Sequence, residues 1–84
     1  MINEIYKAFR NSGFTSKGQD IKNNERMNIR RTFTKDNFYA EIYNEDYGFS
    51  IFIYGGIFMN GYFPFIIDIT EKSDIDFLIK KLES

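Results

Sequence analysis

From residue 27 onward, side-chain character changes with a period of two. Met27, Ile29, Arg31 and Phe33 interleave with Asn28, Arg30 and Thr32, and two further runs, Phe38, Ala40, Ile42 and Phe49, Ile51, Ile53, keep the same alternation. Successive side chains of a strand point to opposite faces, so this pattern predicts extended segments that bury one face of a sheet. Between the runs lie Thr34-Lys35-Asp36-Asn37 and Asn44-Glu45-Asp46-Tyr47. Read as four-residue turns, the first sets Phe33 opposite Phe38, Ile29 opposite Ile42 and Arg30 across from Glu41. The second sets Ile42 against Phe49, Ala40 against Ile51 and Phe38 against Ile53. The same face stays apolar through both turns, as a consistent register requires.

Composition agrees with sheet. Thirteen Ile, ten Phe and six Tyr stand against two Leu and no Val, a mixture that suits a pleated, half-buried surface. Helical spacing occurs only at the ends. Ile2, Ile5, Tyr6 and Phe9 predict a helix over residues 2–11, stopped by Asn11-Ser12-Gly13. At the other end, Ser73 with Asp76 resembles a capping box ahead of the apolar stripe Ile75, Leu78, Ile79 and Leu82.

Residues 12–25 are a long polar loop or a weak edge strand. At Gly55-Gly56 a three-residue loop starting at Tyr54 would place Ile53 by Ile57 and Ile51 by Met59. A two-residue loop would bury Asn60 without a partner. Pro64 breaks or edges the fourth strand, and Phe65, Ile67 and Ile69 continue it or begin a fifth. The expected fold is α+β: a single domain, residues 1–84, with an antiparallel four- or five-stranded meander flanked by an N-terminal and a C-terminal helix.

The 84 residues allow one modest core and no deep cleft beside it. Cys and His are both absent, which removes disulfides, thiolate nucleophiles and the usual zinc ligands. The spacing of Gly56-Ile-Phe-Met-Asn-Gly61 matches the two glycines of a phosphate-binding loop. Tyr62 and Phe63 then stand where lysine and a hydroxyl are needed. Asp74 and Asp76 suit a helix start, and Asn44-Glu45-Asp46 has no calcium-loop spacing. No catalytic, metal or cofactor constellation emerges, and the expectation is a protein that is not an enzyme.

Residues 47–67 carry no formal charge over a length that could span a bilayer. Four glycines, Asn60, Pro64 and acidic flanks favour two buried strands instead. The N-terminus lacks the continuous apolar run of a signal peptide, so a cytoplasmic location is expected. Codons for the abundant Ile, Asn, Lys, Phe and Tyr are AT-rich, which suggests an AT-rich bacterial or phage genome.

Within Tyr47–Tyr54, Gly48, Phe49, Ser50 and Tyr54 resemble a degenerate form of the octapeptide on the central strand of RRM domains. Tyr47 replaces its basic residue and Ile51 its second stacking aromatic, and the chain opens with a helix and not a strand. These departures leave the family unassigned.

What remains is the sheet's second face. Arg30, Tyr39, Glu41, Tyr43, Phe52, Phe58, Asn60 and Tyr62 point away from the Ile-rich side, with Tyr39 opposite Phe52 and Phe52 opposite Phe58. Two short helices cover one face of such a sheet more readily than both. The alternatives are one helix on each face, or the 12–25 loop folded over the rings. An open aromatic face predicts a partner-binding site of Tyr39, Tyr43, Phe52, Phe58, Tyr62 and Arg30. The function expected is that of a small protein-binding module, of the kind that phage-encoded or immunity-type inhibitors represent, with a homodimer as a compatible arrangement.

Charge is divided between the two halves. Residues 1–35 hold eight basic and three acidic side chains (+5), and residues 36–84 hold three basic and nine acidic (−6). The halves can neutralise one another in the fold, or the acidic turn at Glu45-Asp46 or the basic stretch from Lys22 to Lys35 can steer a partner. The rival reading is single-stranded nucleic-acid binding through Lys17, Lys22, Arg26, Arg30, Arg31 and Lys35 beside the aromatic face.

Overall fold

The computed structural model describes residues 1–16, 28–56 and 63–83. They form α1 (Ile2–Asn11), β1 (Ile29–Lys35), β2 (Phe38–Glu45), β3 (Gly48–Tyr54), β4 (Phe65–Ile69) and α2 (Lys72–Leu82). The four strands make one antiparallel sheet in the order β1-β2-β3-β4. This is the expected α-β-β-β-β-α meander with four strands. The RRM-like octapeptide covers β3 and the turn residue before it, but the described strands are consecutive antiparallel neighbours, with no βαβ crossover among the described residues of the kind that ferredoxin-like domains use.

Both helices pack on the same face. Ile5, Tyr6, Ala8 and Phe9 of α1 and Ile75, Leu78 and Leu82 of α2 join Phe33, Ala40, Ile42, Ile51, Ile53, Ile67 and Ile69 in one buried cluster. The arrangement with one helix on each face is therefore excluded. Phe9 and Phe33 stack with ring centroids 5.0 Å apart, which ties α1 to β1 at the centre of this core.

The end of α1 shows how sequence becomes packing. Gly13 takes φ +93°, and the Phe14 and Gly13 amides donate to the carbonyls of Phe9 (3.0 Å) and Arg10 (3.0 Å). This is a Schellman termination, completed by the edge-to-face contact of Phe9 and Phe14 at 5.1 Å. Lys35, at the end of β1, donates to the Ser12 carbonyl at 2.6 Å and places a cation where the helix dipole favours one. Thr15 then bridges to Thr34 through two 2.8 Å hydrogen bonds, so the start of the polar 12–25 segment lines the β1 edge.

Two turns are tighter than expected. Lys35 pairs with Phe38 across Asp36-Asn37, and Glu45 pairs with Gly48 across Asp46-Tyr47. Asp36 adopts φ +51°, the conformation that makes so short a connection possible and that Asp tolerates. From Arg31 onward each register moves by two residues: Phe33 faces Ala40, Ala40 faces Ile53 and Ile42 faces Ile51. A shift of two preserves the face of a side chain, which is why Phe33, Ala40, Ile42, Ile51 and Ile53 are buried as expected although the pairs are not.

The partner of β3 also differs. Ile53 pairs with Phe65, Ile51 with Ile67 and Phe49 with Ile69, not with Ile57 and Met59. Lacking an amide hydrogen, Pro64 stands just before the strand, and the alternation that follows it supplies the isoleucines this edge of the core needs. Residues 57–62, and with them the three-residue loop reading, lie outside the described residues.

At the start of α2, the box sits two residues before the expected one. Asp74, not Asp76, accepts from the backbone amides of Thr70 (2.9 Å) and Glu71 (3.1 Å), with Glu71 at the N-cap. These bonds hold the Asp74 carboxyl below its ordinary range.

Candidate functional site

The registers define the second face as a grid. One row across the sheet is Thr34, Tyr39, Tyr54; the next is Thr32, Glu41, Phe52, Ile66; the third is Ile29, Tyr43, Ser50, Asp68. Glu41 therefore occupies the middle, flanked along β2 by Tyr39 and Tyr43 and across the sheet by Thr32 and Phe52. Tyr54 lies on its diagonal, within reach of an aromatic side chain.

The rings are in contact. Tyr43 meets Phe52 at 5.0 Å between centroids, and Tyr39 meets Tyr54 at 5.9 Å. Tyr39 is exposed, whereas Tyr43, Phe52, Tyr54 and Glu41 are half-buried and Ser50 is buried. The Tyr39 hydroxyl donates to Glu41 Oε2 across a long 3.4 Å. Burial first, and then the negative charge of Glu41, raise the hydroxyl pKa values of Tyr39 and Tyr43, the latter to about 12. For Tyr54 burial is again the larger cause, followed by hydrogen bonding to Glu41 and its charge. Three neutral phenols are thus oriented around one carboxylate.

Of the expected site residues, the structure brings Tyr39, Tyr43 and Phe52 together on this face. Phe58 and Tyr62 lie outside the described residues. Arg30 is not on this face: the β1–β2 register slips between Ile29 and Arg31, so that Arg31 faces Ile42 and Ile29 faces Tyr43. Such a bulge leaves one extra residue out of the pairing. Arg30 is that residue, and its guanidinium sits over the Phe49 ring at 5.8 Å and donates to Asn44 Oδ1 at 3.3 Å. Phe49 packs against the helix-side core. Ile29 moves the opposite way: it is buried beside Tyr43 and not beside Ile42.

Two other expected cations also belong to the helix side. Arg31 lies over the buried Tyr6 ring at 4.3 Å, and Lys35 caps α1 while standing 5.8 Å from the Phe14 ring. Lys17, Lys22 and Arg26 lie outside the described residues, as does most of the 12–25 loop. Among the described residues, the formal charges on the second face are Glu41, Glu45 and Asp68, all negative. The Tyr47 hydroxyl donates to Asp68 at 2.9 Å.

Alternation along the sequence puts Glu41 on this face but gives it no role, and a three-residue loop at Tyr54-Gly55-Gly56 would keep Tyr54 off the sheet. The signal for Tyr54 was the length of the preceding connection: a two-residue turn at Asp46-Tyr47 carries the strand on to residue 54. For Arg30 no sequence signal was available, since a bulge leaves the alternation on either side intact.

A groove of about 610 Å³ separates the helices on the opposite side, lined by Lys7, Ala8, Lys35, Ile75, Asp76 and Ile79 among others. Its charges are mixed. No group of three or more potential metal ligands occurs among the described residues, and no described helix is long and apolar enough to cross a membrane.

Fold and face together define a small α+β domain with its helices on one side of an antiparallel sheet and a tyrosine-rich surface on the other. No protein-family model matches this chain, and no curated protein or solved structure matches it.

Proposed function

We propose that this protein is a small binding module that attaches to a larger protein through the aromatic face of its sheet, in the manner of phage-encoded or immunity-type inhibitors. The observation that carries this reading is that both helices occupy one face and neither reaches Tyr39, Tyr43, Phe52 and Tyr54 on the other. Tyrosines are effective anchors because each offers a large rigid surface and a polar tip at small entropic cost. Catalysis has no part in this reading.

The observations favour protein over single-stranded nucleic acid. Phosphates need cations around the stacking rings, yet Arg30, Arg31 and Lys35 engage the helix side and the ring cluster surrounds a carboxylate. Affinity capture from a bacterial lysate with the wild-type chain and with the Tyr39→Ser/Phe52→Ser double variant tests the proposal. The double variant is expected to keep a cooperative melt and lose the retained protein. Retention equal to wild type would refute the face, and oligonucleotide affinity falling steeply with salt would favour the rival.

A further inference from the structure

We infer that the aromatic face receives an arginine side chain of its protein partner, with the guanidinium seated against Glu41 and stacked on the surrounding tyrosines. The inference rests on the protein-binding reading above and adds the chemistry of the contact. Three observations support it. Glu41 holds the centre of the grid, with Tyr39, Tyr43, Phe52 and Tyr54 around it. The formal charges among the face's described residues, Glu41, Glu45 and Asp68, are all negative, and the bulge at Ile29–Arg31 turns Arg30 to the other side of the sheet. Asp68 accepts from Tyr47 at 2.9 Å, whereas Glu41 accepts from the surrounding tyrosines, with the Tyr39 bond long, at 3.4 Å.

A carboxylate offers about four lone-pair positions, so donors from the tyrosines leave room for a further, charged donor. Guanidinium suits this place better than ammonium does. It is planar, bonds a carboxylate with two parallel N–H groups, and stacks on aromatic faces. The chain uses the same stacking within itself, where Arg31 covers Tyr6. Ring faces supply attraction of their own, and half-burial among the rings strengthens the charge pair relative to one in open water.

The test is an NMR titration of the full chain with Nα-acetyl-arginine-N-methylamide, and in parallel with the citrulline analogue, which has the same shape without charge. Saturable shifts confined to Tyr39, Glu41, Tyr43, Phe52 and Tyr54 are expected for arginine, with at least about tenfold weaker binding by citrulline. Glu41→Gln should weaken the arginine probe by a similar factor while its circular dichroism spectrum stays unchanged, and Asp68→Asn should leave the affinity within about twofold. Equal response to the two probes, or no loss in Glu41→Gln, overturns the inference: Glu41 then only ties the tyrosines together. Shifts that depend on protein concentration and not on the probe assign the face to a second copy. Binding that appears only after Lys17→Gln, Lys22→Gln and Arg26→Gln assigns it to the chain's own cations. A face silent to arginine whose double Ser variant still loses its partner refutes the guanidinium alone. An arginine-binding face whose double variant retains the partner refutes the protein-binding reading.

Discussion

Among the described glycines, Gly48 is the one where the backbone leaves least room for substitution. It has φ +145°, and a Cβ built there would lie 2.1 Å from the Ile69 carbonyl oxygen and 3.2 Å from its carbon. Both are backbone atoms of the neighbouring strand, so no rotamer change relieves the overlap. Gly48→Ala must therefore push β3 and β4 apart at the end where β4 leads into α2. A side chain forced into a glycine-only conformation costs about 1–3 kcal/mol, and displacing a packed neighbour costs about 1–3 kcal/mol more. Together these amount to about 2–6 kcal/mol, against roughly 4–13 kcal/mol available to a domain of this length. At about 4–8 °C per kcal/mol, the melting midpoint should fall by about 10 °C or more. Gly13→Ala is the internal control. Its φ is also positive, +93°, but a Cβ there meets only the flexible Lys35 side chain, at 3.3 Å. The expected cost is about 1–2 kcal/mol. Urea denaturation and thermal melts followed by circular dichroism measure both variants. A Gly48→Ala loss no larger than that of Gly13→Ala would refute the close approach of β3 and β4 and the register built on it.

Lys35→Met keeps the length of the side chain but removes the 2.6 Å bond to the Ser12 carbonyl. It should cost about 1–2 kcal/mol, read as a lower urea midpoint at unchanged m-value. In an ultraviolet titration of tyrosinate, Tyr43 should ionise near pH 12 in the wild type. In Glu41→Gln its pKa should drop but stay above 10, because burial remains the larger cause. Since the folded value is raised, the stability linked to Tyr43 is complete below about pH 10 and is lost as pH climbs through about 12. Alkaline unfolding should start within that window, and a flat stability profile across it would contradict the assignment. Asp74 has the opposite sign. Its folded pKa is depressed from 3.8, so its contribution is present above that pH and fades as pH falls through the lower folded value. The difference in melting temperature between wild type and Asp74→Ala should accordingly shrink in strong acid.

Much of this fold is legible in the chain because amphipathic periods are local properties. The stripe Ile2, Ile5, Tyr6, Phe9 marks α1 with its observed bounds, and Ile75, Leu78, Ile79, Leu82 mark the inward side of α2. Phe33, Ala40, Ile42, Ile51 and Ile53 are all buried as their alternation requires. The same alternation placed Tyr39, Tyr43 and Phe52 on the opposite face. It could not distinguish a two-residue turn from a four-residue one, since a slip of two residues returns every side chain to its own face.

Sequence therefore determined the two helices, the presence of the extended segments and the face that most of their residues share, since these follow from periodicity along a single segment. Tertiary structure decided what depends on two segments meeting. Strand pairing brought Glu41 into the centre of the tyrosines, carried Tyr54 onto their face and gave β3 the partner Phe65–Ile69. The hydrogen-bond ladder of β1 and β2 slipped at Ile29–Arg31 and sent Arg30 to the helices. Neither outcome is a property of one strand, because register and bulges are chosen by the cross-strand hydrogen bonds and the packing of both partners at once.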